Sequence, residues 1–213
     1  MNFKIISYYC DVDDSKYYEK CYHRLKKKLD EYDYDYDMVK LENLGSYKEN
    51  CRRKPNFIID KIKEHDEDVV WLDIDTILIN RMTEVDIIPP EIDLTFASSN
   101  GNIGGCKASP IFIKNNERSK KFLHQWRDNV NSSRDQQFEC FDHEVLFHAI
   151  QVAGNYCNIG FLNENYCTWP GRENENTVIL MGLSDNESKK DSLRKMGMCE
   201  KNIKHQTTGL YHE

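Results

Sequence analysis

The segment "VVWLDIDTILIN", Val69 to Asn80, constrains the fold more than any other stretch. Val69, Val70, Trp71, Leu72, Ile74, Ile77 and Leu78 have the composition of a central strand covered on both faces. Asp73 and Asp75 interrupt it. While the chain stays extended, residues two apart share a face, so both carboxylates point the same way. Burying one unpaired carboxylate costs several kcal/mol, and two together repel. The arrangement becomes tolerable at the carboxyl end of the strand, where open α/β sheets bind ligands and a cation can sit between the acids and the ligand. A hard divalent ion with oxygen ligands, Mn²⁺ or Mg²⁺, fits best. The plainer alternative is a pair of strand-end aspartates capping the next turn, because a DxD is short and common.

Strands and helices alternate around this segment. Asn2 to Cys10 reads as a first strand and Ser15 to Leu29 as a helix, with Asp13 or Asp14 near its cap. Met38 to Leu41 is a short strand. Pro55 to His65 is a helix, with proline in its first turn and Phe57, Ile58, Lys61 and Ile62 setting its period. Val69 to Ile74 is the third strand. Asp93 to Ser98 and Ile111 to Lys114 read as strands, Asn116 to Val130 and Phe141 to Val152 as helices. Asn176 to Met181 is a last strand and Asn186 to Met196 a last helix. The alternation predicts an α/β fold with a mainly parallel sheet.

The chain has 213 residues, enough for one sizeable core, so a single domain over 1–213 is expected, with 198–213 a tail or linker. Lys and Arg total 29 against 36 Asp and Glu, a net charge of −7, which argues against broad nucleic-acid binding. No apolar run approaches the roughly 20 residues of a membrane helix, and the first residues lack a secretion-signal layout. The eight cysteines contain no CxxC pair, so reduced thiols, no zinc and a cytoplasmic location are expected. The sequons at Asn131 and Asn186 are then expected to stay unmodified.

The chemistry-bearing candidates cluster around the acid pair. Arg52, Arg53 and Lys54 precede a helix start, and positive charge at a helix amino terminus suits a diphosphate. A solvated basic loop is the alternative. "RLKKKL", Arg24 to Leu29, reads as the wet face of a helix. "DEYDYDYDM", Asp30 to Met38, reads as a surface loop or edge. Asp142 stands at a helix start, where it suits an N-cap.

Two enzyme classes use the local pattern. In haloacid-dehalogenase-like phosphatases, whose hhhhDxDxT segment "VVWLDIDT" matches, Asp73 would be the nucleophile. That motif normally follows the first strand, and only "LSDNESKKD" stands downstream for the second acidic strand end. The stretch "CRRKPNFIIDKIKEHDEDVVWLDIDTILIN" instead resembles GT-A fold glycosyltransferases, in which a Lys-Pro helix start precedes a "vWlDxDxxi" strand. "TFASSNGNIGGCKASPIFIKNNERSKKFLHQW" is similar to their glycine-containing loop, strand and helix ending in Trp, and "CFDHEVLFHAI" to their acidic "DQxxl" helix start. The match covers about the middle two-thirds of the chain in the right order. Within the class, the whole is similar to the small amino-terminal GT-A domain of the large chlorella-virus glycosyltransferases.

The resemblance implies a Rossmann-like three-layer sandwich. It also implies transfer of a hexose or deoxyhexose from a nucleotide diphosphate sugar, UDP-linked, to a hydroxyl of a glycan or other acceptor. It further implies glycan synthesis on a viral glycoprotein in the host cytoplasm. By position, Asp75 and Asp73 would bind Mn²⁺ or Mg²⁺, with Asp73 also meeting the ribose. Ser7, Tyr8 and Tyr9 would hold the base, by tyrosine stacking or, on the plainer reading, merely fill the core. Asp142 would meet the sugar or act as base, with Glu144 as the other candidate; His143 stands where Gln is usual. Met181 stands where many relatives place a metal-binding His, and Met is a poor ligand for these ions. His205 or His212 would be its substitutes. A non-catalytic sugar-nucleotide-binding module is the further alternative.

Overall fold

The computed structural model describes residues 3–11, 16–133 and 142–181. In chain order the elements are β1 (Phe3–Tyr9), α1 (Tyr17–Glu31), β2 (Tyr36–Lys40), α2 (Tyr47–Arg52), α3 (Lys54–His65), β3 (Asp68–Trp71) and β4 (Ile77–Leu78). They continue with α4 (Thr83–Asp86), β5 (Leu94–Ser98), β6 (Cys106–Ile113), α5 (Glu117–Ser132), α6 (Asp142–Ala153), β7 (Ile159–Leu162) and β8 (Ile179–Leu180).

Six strands form one sheet in the order β2-β1-β3-β6-β5-β7. β1 runs parallel to β2 and β3, and β5 parallel to β7, while β6 is antiparallel to both its neighbours. The sheet is therefore mainly parallel, as expected, with one reversed strand. Alternation along β3 explains its double burial. Val69 and Trp71 join α3, α5 and α6 in one apolar layer, and Val70 and Leu72 join α1 in the other. Both faces are covered, which gives a three-layer α/β sandwich.

Local chemistry sets the helix starts. Ser46 accepts the Glu49 N–H ahead of α2, and Asn116 accepts the Ser119 N–H ahead of α5. Pro55 lies in the first turn of α3. Asp93 is buried at the start of β5 and ties three elements together. It accepts from Asn116 Nδ2 at 2.7 Å and from the Asn158 N–H at 2.7 Å, and it pairs with Arg118 at 3.0 Å. Among the described residues no helix is long and apolar enough to cross a membrane.

Several expectations need revision. β6 starts at Cys106, five residues before the expected Ile111, and β7 (Ile159–Leu162) is a strand beyond those expected. The third strand ends at Trp71, not Ile74. Leu72 still donates to the Ile6 carbonyl at 3.1 Å, but the Asp73 N–H turns to Ser109 Oγ at 2.8 Å, and Thr76 closes a turn onto the Asp73 carbonyl at 2.9 Å. The aspartates therefore sit on a turn past the strand, not on an extended chain. The last strand is confined to Ile179–Leu180, paired antiparallel with β4 in a separate ribbon. Arg24, read as part of a wet face, lies on the inner side of α1. The Asp13 and Asp14 cap and the helix over Asn186 to Met196 fall outside the described residues, as do His205 and His212.

Candidate active site at the carboxyl edge of the sheet

β1 and β3 are parallel neighbours, so their carboxyl ends meet at one edge. The turn carrying Asp73 and Asp75 projects from that edge. Reversed β6 brings its amino-terminal half there, because Trp71 faces Ile111 and the register runs back toward Ser109. The acids are thus gripped by backbone and side chains from three directions.

Asp73 is partly exposed, and its Oδ1 accepts two donors: the Lys54 ammonium at 2.8 Å and Trp71 Nε1 at 3.0 Å. Lys54 opens α3, is almost fully buried, and lies 5.3 Å above the Trp71 ring. A lysine this buried is tolerable only against an anion. Asp75 is 9% exposed and faces α1. Its carbonyl accepts from Arg24 Nη2 at 3.0 Å. Burial pushes the Tyr17 hydroxyl up and the Cys21 thiol up to about 11, and the nearby Asp75 charge adds to both. Among the described residues, the Nε and Nη1 atoms of Arg24 are buried and make no hydrogen bond. Sequence reasoning missed Arg24 because a lysine-rich run surrounds it. Its signal was its place on the face of Tyr17 and Cys21, seven and three residues away.

The remaining candidates are placed as follows. Ser7 is fully buried, and Tyr8 and Tyr9 are each 8% exposed. The Tyr8 hydroxyl donates to the Asn50 carbonyl at 2.6 Å, and its ring packs against Phe57 and Trp71. Tyr9 stacks on Tyr22 with centroids 5.2 Å apart. These rings are core residues lying under the edge. Arg52 is buried and pairs with Glu49 at 2.6 Å. Arg53 donates to the Glu42 carbonyl at 2.5 Å. The basic cluster is thus the junction of α2 and α3, with its charges turned to protein partners. Asp142 and Glu144 stand in the first turn of α6, which packs against α5, β6 and the turn Ile103–Gly105; their side chains and that of His143 lie outside the described residues. Met181 is described and donates its N–H to the Thr168 carbonyl at 2.9 Å.

The glycine-containing loop after β5 is shaped by Ser98, whose Oγ donates to the Asn102 carbonyl at 2.7 Å and accepts its N–H at 3.1 Å. A Cβ at Gly105 would fall on Asn100 Oδ1 and lie 2.8 Å from Ser98 Oγ, so any larger residue there would push the Asn100 side chain aside and disturb the Ser98 bonds.

As ligands, Asp73 and Asp75 offer hard carboxylate oxygens of the kind Mn²⁺ and Mg²⁺ take. Among the described residues the one three-membered group spaced for a metal is Asp37, Glu64 and His65, away from this edge. Lys61 lies within that group, 2.6 Å from Asp37 and 2.7 Å from Glu64.

A mainly parallel sheet with one reversed strand, helices on both faces and an acid turn at the carboxyl edge defines the GT-A fold of glycosyltransferases. In particular, the chain resembles the crystal structure of a glycosyltransferase involved in the glycosylation of the major capsid of PBCV-1, with TM-score 0.64 and 12% identity over 91% of this chain and 98% of that one. Weaker matches include the apo form of the glycosyltransferase GlyE from Streptococcus pneumoniae TIGR4, with TM-score 0.48 and 15% identity over 78% of this chain and 46% of that one. The galactosyltransferase LgtC, solved with donor and acceptor sugar analogs, gives TM-score 0.45 and 10% identity over 76% and 74%. At these identities the likeness is one of fold. The sequence matches no protein-family model and no curated protein.

Proposed function

We propose that the protein transfers a sugar from a UDP-linked donor to a hydroxyl acceptor with the help of Mn²⁺ or Mg²⁺. The observation that carries this reading is the meeting of the Asp73–Asp75 turn with Lys54 at the carboxyl edge, where a GT-A fold is built to receive a nucleotide. When bound, a divalent cation supplies positive charge against the leaving diphosphate. Asp73 and Asp75 are the residues that would hold it. Trp71 Nε1 and Lys54 fix Asp73 Oδ1, and Arg24 fixes the Asp75 backbone, so the carboxylates are oriented before the ligand arrives. The amino terminus of α3 adds partial positive charge beside Lys54. Asp142 or Glu144, in the first turn of α6, would serve as general base toward the acceptor hydroxyl if the reaction inverts, or steady the cationic sugar carbon if it retains.

Calorimetric titration of UDP with and without Mn²⁺ tests the reading, followed by turnover of a panel of nucleotide sugars. Asp75→Ala should abolish metal-dependent UDP binding while the unfolding midpoint stays close to the wild type. Unchanged UDP binding in that variant would sink the site. A non-catalytic sugar-nucleotide-binding module is the second reading, favoured by Met181 at the place of a metal-binding His. It requires UDP binding without turnover of any nucleotide sugar. Release of phosphate from p-nitrophenyl phosphate, lost on changing Asp73, would point instead to a phosphatase.

A further inference from the structure

The cations expected to meet a diphosphate are engaged: Lys54 with Asp73 at 2.8 Å, Arg52 with Glu49 at 2.6 Å, Arg53 with the Glu42 carbonyl at 2.5 Å. Lys107 is different. It is the second residue of β6 and half-buried, and among the described residues no carboxylate lies within ion-pair distance of it. Ser109, two residues further along β6, takes the Asp73 N–H at 2.8 Å. Residues two apart on a strand leave from the same face, and over Cys106 to Ser109 burial alternates accordingly, with Cys106 and Ala108 inside. Because β6 runs antiparallel to β3, the step from Ser109 back to Lys107 moves about 7 Å beyond the strand end, over the edge where the acid turn sits. The thiols of Cys106 and Cys167 both lie close enough to feel the Lys107 charge. Burial raises both thiols, and the Lys107 charge works against that rise in each. Partial burial already restricts the Lys107 side chain, so holding it against an arriving anion costs less conformational freedom than at a fully exposed lysine.

We infer that Lys107 receives the diphosphate of the donor nucleotide, taking the role that the Arg52–Lys54 run would otherwise fill. This rests on the nucleotide-sugar reading above. The inference makes Lys107 a binding residue that touches the leaving group.

The test is calorimetry with UDP and with uridine, each with Mn²⁺, on the wild type, Lys107→Met and Lys107→Arg. Methionine keeps an unbranched stem, and arginine keeps the charge. Loss of one charge-assisted contact should weaken UDP binding by about tenfold or more in Lys107→Met, with uridine affinity unchanged and Lys107→Arg retaining most of the UDP affinity. A second measurement uses the wild type alone. Acetylation of Lys107 by a lysine-directed reagent, followed by peptide mass spectrometry, should slow with UDP and Mn²⁺ but not with uridine and Mn²⁺. If UDP binds and neither Lys107→Met nor the acetylation rate responds, this inference falls alone. If the wild type binds no UDP with Mn²⁺, the nucleotide reading falls and takes the inference with it.

Discussion

Asp93→Ala should cost about 4 kcal/mol of stability, although Asp93 touches no candidate ligand. Its side chain is 1% exposed and accepts from Asn116 Nδ2 and the Asn158 N–H, both at 2.7 Å. Hydrogen bonds to a charged group are worth about 1.5–3 kcal/mol each. The Arg118 partner, 51% exposed at its side chain, recovers water when the carboxylate goes, so that pair adds less than about 1 kcal/mol. The backbone of Asn158 and the cap residue of α5 lose their common acceptor, and β7 and α5 loosen from β5 together. With a urea slope of about 2.5 kcal/mol per molar for a chain this size, the midpoint should fall by about 1.6 M at unchanged slope. Asp93→Asn keeps one acceptor oxygen and should lose roughly half as much. Urea unfolding followed by circular dichroism and by tryptophan fluorescence checks both variants. A loss under about 1 kcal/mol for Asp93→Ala would refute the reasoning, because it would mean the buried acid is not what joins these elements.

Two other consequences can be measured directly. Arg24→Met should lower stability by about 1–3 kcal/mol in urea unfolding, since the Asp75 carbonyl loses a charged donor, and it should weaken Mn²⁺-dependent UDP binding more than metal-free binding; equal loss in both conditions would assign Arg24 a purely structural role. Burial raises the Asp37 carboxyl, but hydrogen bonds from Lys61 and His65 outweigh it and leave the group below its ordinary range. A depressed carboxylate stabilises the fold above its unfolded pKa of about 3.9, and that stability is lost as pH falls through the lower folded value. Asp37→Asn should therefore unfold with a shallower acid limb below about pH 4, and an unchanged limb would count against this assignment.

The layered fold was legible because its evidence is local. The apolar run before Asp73, the Lys-Pro start of α3 and the asparagine before α5 each declare themselves within a few residues. The position of the acid pair at the carboxyl edge was legible for the same reason. What the acids rest on was not. The end of β3 depends on Ser109 taking the Asp73 N–H from 36 residues away, and the Asp75 carbonyl on Arg24 from 51 residues away. Tyr8 looked equally suited to stacking on a base and to packing in the core. Its hydroxyl bond to Asn50 and its contacts with Phe57 and Trp71 come from a helix and a strand that its neighbours in sequence do not announce. The basic run drew attention as charge, whereas its partners, Glu49 and the Glu42 carbonyl, lie in a short helix and loop with weak periodicity.

The small ribbon of β4 and β8 has a practical side. Ile79 donates to the Val178 carbonyl at 2.8 Å, and Asn80 Nδ2 to the Thr177 carbonyl at 2.7 Å, so the residues leaving the acid turn are moored to a segment almost a hundred positions later. Anyone trimming the gene for crystallisation would cut that mooring by stopping before Thr177. The shortened product would keep its large sheet yet release the very turn that a soaked nucleotide would need to find in place.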